Sequence, residues 1–222
     1  MTPRLAVFDC DGTLVDSQAN IIRAMEACFA RHRLNPSCRH ATRRIIGLSL
    51  IEAMHALLPE ADGALHLRLA EDYKTAFQRL RAERALLDEP LYPGVAEGLR
   101  ALETRGWLLG VATGKSDRGL NLCLTHHGIA RHFVTLQTAD RHPSKPHPSM
   151  LHAAMAEAGG EPGSTVIVGD TRFDMAMGVA AGVRAIGVDW GYHHADELRA
   201  AGASAVVDRF DDLLTLLEMQ PA

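Results

Sequence analysis

The feature that most constrains the fold is an alternation of short apolar runs and amphipathic segments along most of the 222-residue chain. Between the later runs, apolar residues recur at helical spacing, and glycines such as Gly106 and Gly128 close these segments. The order strand, helix, strand predicts an α/β fold in which a parallel sheet carries helices on both faces. Six runs are expected to form buried strands: Leu5–Phe8, Leu108–Ala112, Phe133–Leu136, Thr165–Val168, Ala185–Val188 and Ala205–Val207.

The stretch between the first two predicted strands contains helical pattern alone. A block this long, with charged residues opposite its apolar stripes, is better explained as an insertion than as ordinary surface helices. We therefore expect an all-helical cap domain, residues 17–88, inserted into a core domain of residues 1–16 and 89–222. Two apolar stripes carry this prediction: Ile22, Met25 and Phe29, and then Leu69, Tyr73, Ala76 and Leu80.

The composition excludes several functional classes. Lysine and arginine total 23 against 27 acidic residues, so the chain lacks the broad positive field of a protein that binds nucleic acid or anionic membranes. No apolar run approaches the length of a membrane span and no signal-peptide core precedes the first strand, so we expect a cytoplasmic protein. The four cysteines form no CxxC pair, which favours reduced thiols. The pattern makes no prediction of oligomeric state.

An acidic motif, Asp9-Cys10-Asp11-Gly12-Thr13, directly follows the first predicted strand. Two carboxylates this close repel each other unless a divalent cation or a shared proton offsets their charge. Gly12 frees the backbone to turn at the end of the strand. A polar turn that merely ends the strand is the alternative, and this motif alone leaves both interpretations open.

Three further clusters follow other predicted strands. The segment Thr113–Lys115 brings a hydroxyl, a glycine and a cation to the start of a helix, where backbone amides bind anions. Lys145 is one of only three lysines, against twenty arginines, and lies in the loop after the third strand. Asp170 and Asp174 follow the fourth strand, four residues apart. Taken singly, each cluster also fits a helix cap or a surface side chain.

The coincidence of four such clusters favours a ligand site. Ligands of open parallel sheets bind at the carboxyl ends of the strands, where all four clusters are expected. Carboxylate oxygens suit a hard divalent cation, and hydroxyl and ammonium groups beside them suit an anion. The inferred ligands are Mg²⁺ and the phosphate group of a small phosphorylated metabolite.

At these residues the sequence resembles the haloacid dehalogenase superfamily, in the phosphatase branch similar to phosphoglycolate phosphatase. The four motifs occur in the family's order, and the helical insert lies where that branch carries its cap. The resemblance covers essentially the whole chain and extends to Trp190-Gly191-Tyr192 in the last loop. It implies a Rossmann-like core and a phosphoric monoester hydrolase, with phosphoglycolate as the leading substrate.

The resemblance also implies catalytic roles. Asp9 would attack phosphorus and form an aspartyl-phosphate, whereas Asp11 would protonate the leaving oxygen and later deprotonate water. Lys145 would offset the charge of Asp9 and of the phosphoryl group, and Thr113 would bind phosphoryl oxygens. The implied ligands of Mg²⁺ are Asp9, the carbonyl of Asp11, Asp170 and, directly or through water, Asp174.

Further residues are expected to bind substrate. The amides of Gly12 and Gly114 would hold phosphoryl oxygens, and Lys115 lies beside them. In the cap, Arg44 is expected to contact a substrate carboxylate, with Arg43 as its neighbour, and a solvent-facing position is the alternative.

Other members of the superfamily, and other classes of protein, remain as alternatives. Dehalogenases do not need a second acid such as Asp11, and phosphonoacetaldehyde hydrolases need a cap lysine, for which Lys74 in a charged stretch is the sole candidate. Sugar-phosphate mutases carry an arginine where this chain has Leu50, and pyrophosphate is a further substrate. Outside enzymes, a phospho-acceptor signalling module shares an acidic cluster, a threonine and a lysine, and a degenerate binding protein would lack a catalytic position.

Two pairs of adjacent histidines invite a metal-site interpretation, His126-His127 and His193-His194. Adjacent residues point apart on a helix and to opposite faces of a strand, so neither pair is a good chelate. We expect these histidines to be solvated.

Overall fold

The computed structural model describes residues 2–35 and 38–218 and has a six-stranded parallel sheet at its centre. The strand order is β3-β2-β1-β4-β5-β6, so β1 pairs with β2 on one side and with β4 on the other. All five strand pairs are parallel, which confirms the predicted α/β sheet. The strands are β1 Arg4–Phe8, β2 Trp107–Thr113, β3 Phe133–Thr138, β4 Thr165–Gly169, β5 Arg184–Val188 and β6 Ala205–Val207.

Helices connect the strands on both faces of the sheet. Five helices lie between β1 and β2, and the first four are α1 Gln18–Arg31, α2 Arg39–Arg44, α3 Leu50–Leu57 and α4 Gly63–Ala82. The others are α5 Val95–Thr104, α6 Asp117–His126, α7 Ser149–Ala158, α8 Arg172–Ala181, α9 Ala195–Ala200 and α10 Phe210–Glu218. Two short 3₁₀ turns, Ala130–His132 and Pro162–Ser164, lead into β3 and β4.

Side chains alternate across β1 and build a separate core on each face of the sheet. Ala6 and Phe8 pack with α5, α6 and α10, whereas Leu5 and Val7 pack with α7 and α8. Because both faces are covered, β1 is apolar along nearly its whole length. The central strand therefore delivers Asp9, its next residue, into a dry environment.

The four helices between β1 and α5 pack around an apolar cluster of their own. Met25 and Phe29 of α1 meet Leu69 and Tyr73 of α4 in this cluster, as the two stripes predicted. The helices themselves run from residue 18 to residue 82, within the predicted insertion. The division into core and cap domains remains a prediction, and these four helices are called the cap helices below.

One helix has no counterpart in the sequence prediction. Helix α9 is polar over most of its six residues, and Leu198 is its sole fully buried side chain. No apolar stripe marks so short a helix, because one inward side chain is enough to dock it. Within the described ranges, no helix combines the length and the apolar composition needed to cross a bilayer.

Helix α5 approaches α10 closely at Gly98. A methyl group at this position would lie 2.1 Å from the ring of Phe210. That ring is confined between Phe8, at 6.1 Å between centroids, and Trp190, at 6.4 Å. Glycine is therefore required here by packing, against its low helix propensity.

Replacing Gly98 by alanine should lower the free energy of unfolding by about 1–3 kcal/mol, because overpacking exceeds the gain of about 1 kcal/mol in helix propensity. Gly63→Ala is the matched control, since open space surrounds Gly63 in α4. Urea titration of both variants measures the difference. Equal stabilisation by the two alanines would contradict the packing argument.

Candidate active site

Three buried carboxylates meet at the carboxyl ends of β1 and β4. Asp9 follows β1 and Asp170 follows β4, and the pairing of these strands places the two residues side by side. Asp174 lies on the first turn of α8. Ligand oxygens of all three residues lie within 4.8 Å of one another, and each residue is fully buried. Strand pairing therefore brings Asp9 to two acids that lie 161 and 165 residues later in the sequence.

Lys145 supplies the positive charge inside this cluster. Its Nζ lies 3.0 Å from Asp9 Oδ1 and 2.6 Å from Asp174 Oδ1. All three side chains are fully buried, so the pairs are not weakened by solvent. One ammonium group thus fixes the positions of two of the three carboxylates.

Both oxygens of Asp170 and the second oxygen of Asp174 have fixed donors. The Thr13 hydroxyl donates to Asp170 Oδ1 at 2.8 Å, and the Tyr192 backbone N–H donates to Asp170 Oδ2 at 2.9 Å. The Thr171 hydroxyl donates to Asp174 Oδ2 at 2.6 Å and caps α8. These donors hold the carboxylates in place before any ligand arrives.

Gly12 allows the first strand's loop to pass against Asp170. Its φ is +86°, and a Cβ there would lie 2.2 Å from Asp170 Oδ2. Both the conformation and the space therefore require glycine.

The donor set of this cluster fits a divalent cation. Asp9 Oδ2 is buried and has no hydrogen-bond partner among the described residues. An orphaned carboxylate oxygen in a dry site costs free energy unless a cation or a proton satisfies it. Three carboxylates with oxygen donors alone are the ligand type that Mg²⁺ prefers.

Burial dominates the electrostatics of the cluster. It raises the pKa of Asp9 to about 7, although the neighbouring Lys145 acts in the opposite direction. Burial and the charges of Asp9 and Asp174 raise the pKa of Asp170 well above its ordinary value. Burial opposes the charge of Lys145, but Asp174 and Asp9 more than compensate and raise its pKa. The carboxylates thus gain from any added positive charge.

Asp11 has different neighbours from Asp9. Lys115 Nζ lies 2.7 Å from Asp11 Oδ1, and the Ser17 hydroxyl donates to the same oxygen. The Tyr192 hydroxyl lies 3.4 Å from the Ser17 hydroxyl. Lys115 thus contacts the predicted acid, and its role in substrate binding remains a prediction. Sequence reasoning missed Ser17 and Tyr192 as neighbours of Asp11.

The cap helices contact the core directly above this site. Gly114 lies under their loop, since a Cβ there would be 2.6 Å from the Leu48 carbonyl. The Ser49 N–H donates to Ser144 Oγ at 2.8 Å, next to Lys145. Thr113 is buried at the end of β2, where its hydroxyl accepts from the Lys115 N–H at 3.2 Å.

The two cap arginines contact the core in this structure. Arg44 makes a two-armed ion pair with Glu197 of α9 and lowers the pKa of that carboxyl to about 2. Arg43 donates to the Gly191 carbonyl at 2.8 Å and lies 5.9 Å from the Tyr192 ring centroid. A contact of Arg44 with a substrate carboxylate remains a prediction, and the guanidinium has an acidic partner in the core.

The prediction of solvated histidines is wrong for His193. This residue is buried, whereas His126 and His194 are exposed and His127 is half-buried. Its Nδ1 accepts from the Arg172 N–H at 3.2 Å, so its Nε2–H donates to the Arg44 carbonyl, also at 3.2 Å. Both bonds need the neutral ring, and burial lowers the pKa of His193 to about 4.

Comparison with known proteins identifies the family of this site. The sequence matches the model of the haloacid dehalogenase-like hydrolase family over residues 6–188, most of the chain. The chain belongs to this family. A probable phosphatase, IndB, of Dickeya dadantii is 36% identical over 216 residues, which cover 95% of this chain and 91% of the relative.

Two further proteins extend the comparison to a named activity and to a solved structure. Phosphoglycolate phosphatase 1 of Pseudomonas aeruginosa is 32% identical over 217 residues, covering 96% of this chain and 79% of the relative. A solved structure titled as a predicted phosphatase from Clostridium acetobutylicum superposes with a TM-score of 0.87 at 22% identity, over 99% of this chain and 100% of that one, and so shares the fold. The predicted family and enzyme class, a phosphoric monoester hydrolase, are confirmed.

Neutral His193 makes stability depend on pH. Its pKa is lower in the folded chain than in the unfolded one, so the unfolded chain takes up the proton first as the pH falls from 6.5 towards 4. Between pH 6.5 and pH 4 in chelator, the unfolding free energy of the native protein should fall by up to about 3 kcal/mol more than that of the His193→Gln variant. Glutamine does not titrate in this range, so the variant lacks this contribution. Urea titrations at both pH values measure this difference. Identical losses would show that His193 is protonated without cost.

Proposed function

We propose that this chain is a Mg²⁺-dependent phosphatase that hydrolyses a small phosphomonoester through an aspartyl-phosphate at Asp9. The observation that carries the proposal is the buried oxygen Asp9 Oδ2, which has no hydrogen-bond partner among the described residues. The other oxygen of Asp9 is held by Lys145 and by the Cys10 N–H at 2.6 Å. Lys145 and the Cys10 N–H thus orient the carboxylate through Oδ1, which leaves Oδ2 for the cation.

The surroundings of Asp9 support nucleophilic attack on phosphorus. A carboxylate needs no general base to attack, and the fixed Oδ1 holds it in one orientation. Lys145 places an ammonium beside the attacking group, where negative charge increases as the phosphoryl group approaches. Thr113 and the amides of Gly12 and Gly114 are the proposed donors to the phosphoryl oxygens.

Asp9, Asp170 and Asp174 would hold Mg²⁺, with the carbonyl of Asp11. When bound, the cation offsets the charge of the carboxylates and the phosphoryl oxygens, so that an anionic nucleophile and an anionic substrate can meet. Thr13 and Tyr192 keep Asp170 oriented for this task through both of its oxygens. A shell of such donors is typical of metal-binding carboxylates.

Asp11 is the proposed acid and base. It lies two residues after the nucleophile and is only slightly exposed, at 7% of its surface. Ser17 and Lys115 both bind Asp11 Oδ1, so Oδ2 is the oxygen that remains for proton transfer. Asp11 would give a proton to the leaving oxygen and then remove one from the water that attacks the aspartyl-phosphate.

The identity of the phosphate ester is a further part of this proposal. Relatives named as phosphoglycolate phosphatases support phosphoglycolate, while the 36%-identical relative bears only the general name of a probable phosphatase. Sugar-phosphate mutase and pyrophosphatase activities, and a cytoplasmic location, also stay as predictions.

Removing divalent cations should abolish turnover. Every proposed ligand is an oxygen atom, so Mg²⁺ should restore activity in full, and Mn²⁺ or Co²⁺ in part. The measurement is hydrolysis of acetyl phosphate in excess chelator and after each cation is added back. Undiminished turnover in chelator would contradict the cation site.

Replacing Asp11 by asparagine should separate its two proposed roles. An aryl ester with a weakly basic leaving group hardly needs a proton, whereas an alkyl ester does, so phosphoenzyme formation should slow by roughly 10²–10⁴ for the alkyl ester and much less for the aryl ester. Hydrolysis of the phosphoenzyme should be slow for both. Rapid-quench kinetics should therefore show a burst of about one equivalent of the aryl alcohol per site, followed by near silence.

The matched control for this experiment is Asp196→Asn, since the Asp196 side chain is 97% exposed and pairs with Arg199 at the surface. Both esters should react with this variant as with the native protein. If Asp11→Asn slowed the first step equally for both esters and gave no burst, Asp11 would not be the acid and base.

A further inference from the structure

A large cavity lies between the cap helices and the core and begins at the proposed acid. Its volume is about 540 Å³, and Asp11, Gly114 and Lys115 line its inner end. Pockets of roughly 300–1,000 Å³ enclose ligands of drug size. A leaving group as small as glycolate would fill only a fraction of this space. Because Asp11 lines the cavity, the alcohol that leaves the phosphate would occupy it.

The walls of the cavity are apolar. Ile21 and Met25 of α1, Tyr73 and Phe77 of α4 and Leu122 of α6 line it. The rings of Tyr73 and Phe77 are 6.1 Å apart and tilted by 48°. Leu122 is 42% exposed, so its surface is free to contact a ligand. Such walls favour an apolar ring, because aromatic faces prefer tilted or offset neighbours.

The charges inside the cavity disfavour an anionic leaving group. At the inner end, Asp11 and Glu89 face a single cation, Lys115, which already pairs with Asp11. The cap lysine, Lys74, is 42% exposed and pairs with Glu71. Arg81, which lies over the Phe77 ring, and Arg118 also line the cavity, but both are exposed, as is Asp88. A carboxylate in the interior would therefore meet more negative than positive charge.

One polar group points to a specific contact within these walls. Tyr73 is 8% exposed and lines the cavity, yet no hydrogen bond joins its hydroxyl to another described residue. Burial raises the pKa of this hydroxyl, and the charge of Lys115 acts in the opposite direction. The hydroxyl is therefore open to the cavity, where a ligand with a polar atom on its ring would form a hydrogen bond with it.

We propose that the physiological substrate is a phosphomonoester whose alcohol carries an uncharged aromatic ring, held by Tyr73 and Phe77 against Leu122. This proposal rests on the proposed phosphatase function and narrows it. It replaces phosphoglycolate with a larger, uncharged leaving group.

Two alkyl esters of similar leaving-group basicity test the ring directly: 2-(naphthalen-2-yl)ethyl phosphate and ethyl phosphate. Burial of the ring should give the naphthyl ester a kcat/KM about 10- to 100-fold higher than that of ethyl phosphate, and higher than that of 2-phosphoglycolate. An equal or higher kcat/KM for 2-phosphoglycolate or ethyl phosphate would overturn the proposal.

Truncation of one wall should reduce this preference. Phe77→Ala should lower the ratio of the two kcat/KM values about tenfold, because the ring loses its main contact. Leu67→Ala is the matched control, since Leu67 lies on the same helix, is 55% exposed and does not line the cavity. It should leave the ratio unchanged. A ratio that falls equally in both variants would indicate a general effect on α4 and overturn the assignment of Phe77.

The Tyr73 hydroxyl is tested with quinolinyl analogues of the naphthyl ester, which place one acceptor nitrogen on the ring. Among the quinolinyl isomers, the one with the highest kcat/KM is compared with the naphthyl ester. Tyr73→Phe should lower the ratio of their kcat/KM values, quinolinyl over naphthyl, about 3- to 10-fold, which is the usual effect of one hydrogen bond. An unchanged ratio for every isomer would show that the hydroxyl does not bind the ring.

Acetyl phosphate, an activated acyl phosphate without a ring, separates failure of this proposal from failure of the phosphatase assignment. Hydrolysis of acetyl phosphate with no preference for the naphthyl ester would overturn the ring site alone. If acetyl phosphate also were inert with Mg²⁺, the phosphatase assignment would fail. In that case, calorimetry still tests the ring site by measuring the Kd of 2-(naphthalen-2-yl)ethylphosphonate and of ethylphosphonate. The naphthyl compound should bind about 10- to 100-fold more tightly.

Discussion

The structure depends on the burial of three carboxylates around one ammonium group. With Asp9, Asp170 and Asp174 ionised and Lys145 protonated, three negative charges face one positive charge in a site without solvent. Such an arrangement is stable only if hydrogen bonds, protons or a cation offset the excess. Burial raises the pKa of Asp9 and of Asp170 for this reason. The same excess charge gives the site its affinity for a divalent cation.

The architecture of the sheet makes this concentration of charge possible. The strand order reverses at β1, so the loops after β1 and β4 face the same crevice. Apolar cores on both faces of the sheet exclude water beneath the cluster. The cost of burying the acids is met by the packing of the whole sheet, so that the site is rigid before substrate binds.

The cap helices contact the same loops that hold the acids. Arg43 binds the Gly191 carbonyl, and the next residue, Tyr192, donates its N–H to Asp170. Arg44 binds Glu197, and its carbonyl accepts from His193. The position of the cap and the orientation of Asp170 are thus joined through three successive residues. The cavity between the cap helices and the core is lined by Asp11, which lies two residues after Asp9 of the acid cluster.

Much of the fold and the acid cluster could be predicted because they depend on local pattern. Buried strands are continuous apolar runs, and Asp9 and Asp170 directly follow two of them. Lys145 stood out because lysine is rare in this chain. Tyr192, beside Ser17, and Glu197, the partner of Arg44, were missed because they lie more than 150 residues from Asp11 and Arg44, and only tertiary packing brings them close. His193 was misjudged because the groups that it contacts, the Arg44 carbonyl, the Arg172 N–H and the Phe173 ring, are distant in sequence.

The most direct test of the account is to locate the phosphoryl group on the enzyme during turnover. The protein would be mixed with Mg²⁺ and acetyl phosphate, quenched in acid within milliseconds and reduced with borohydride, which converts an acyl phosphate to an alcohol. Mass spectrometry of the peptides should then show homoserine in place of Asp9. Homoserine at another acid, or phosphate on a serine or histidine, would contradict the assignment of Asp9 as the nucleophile.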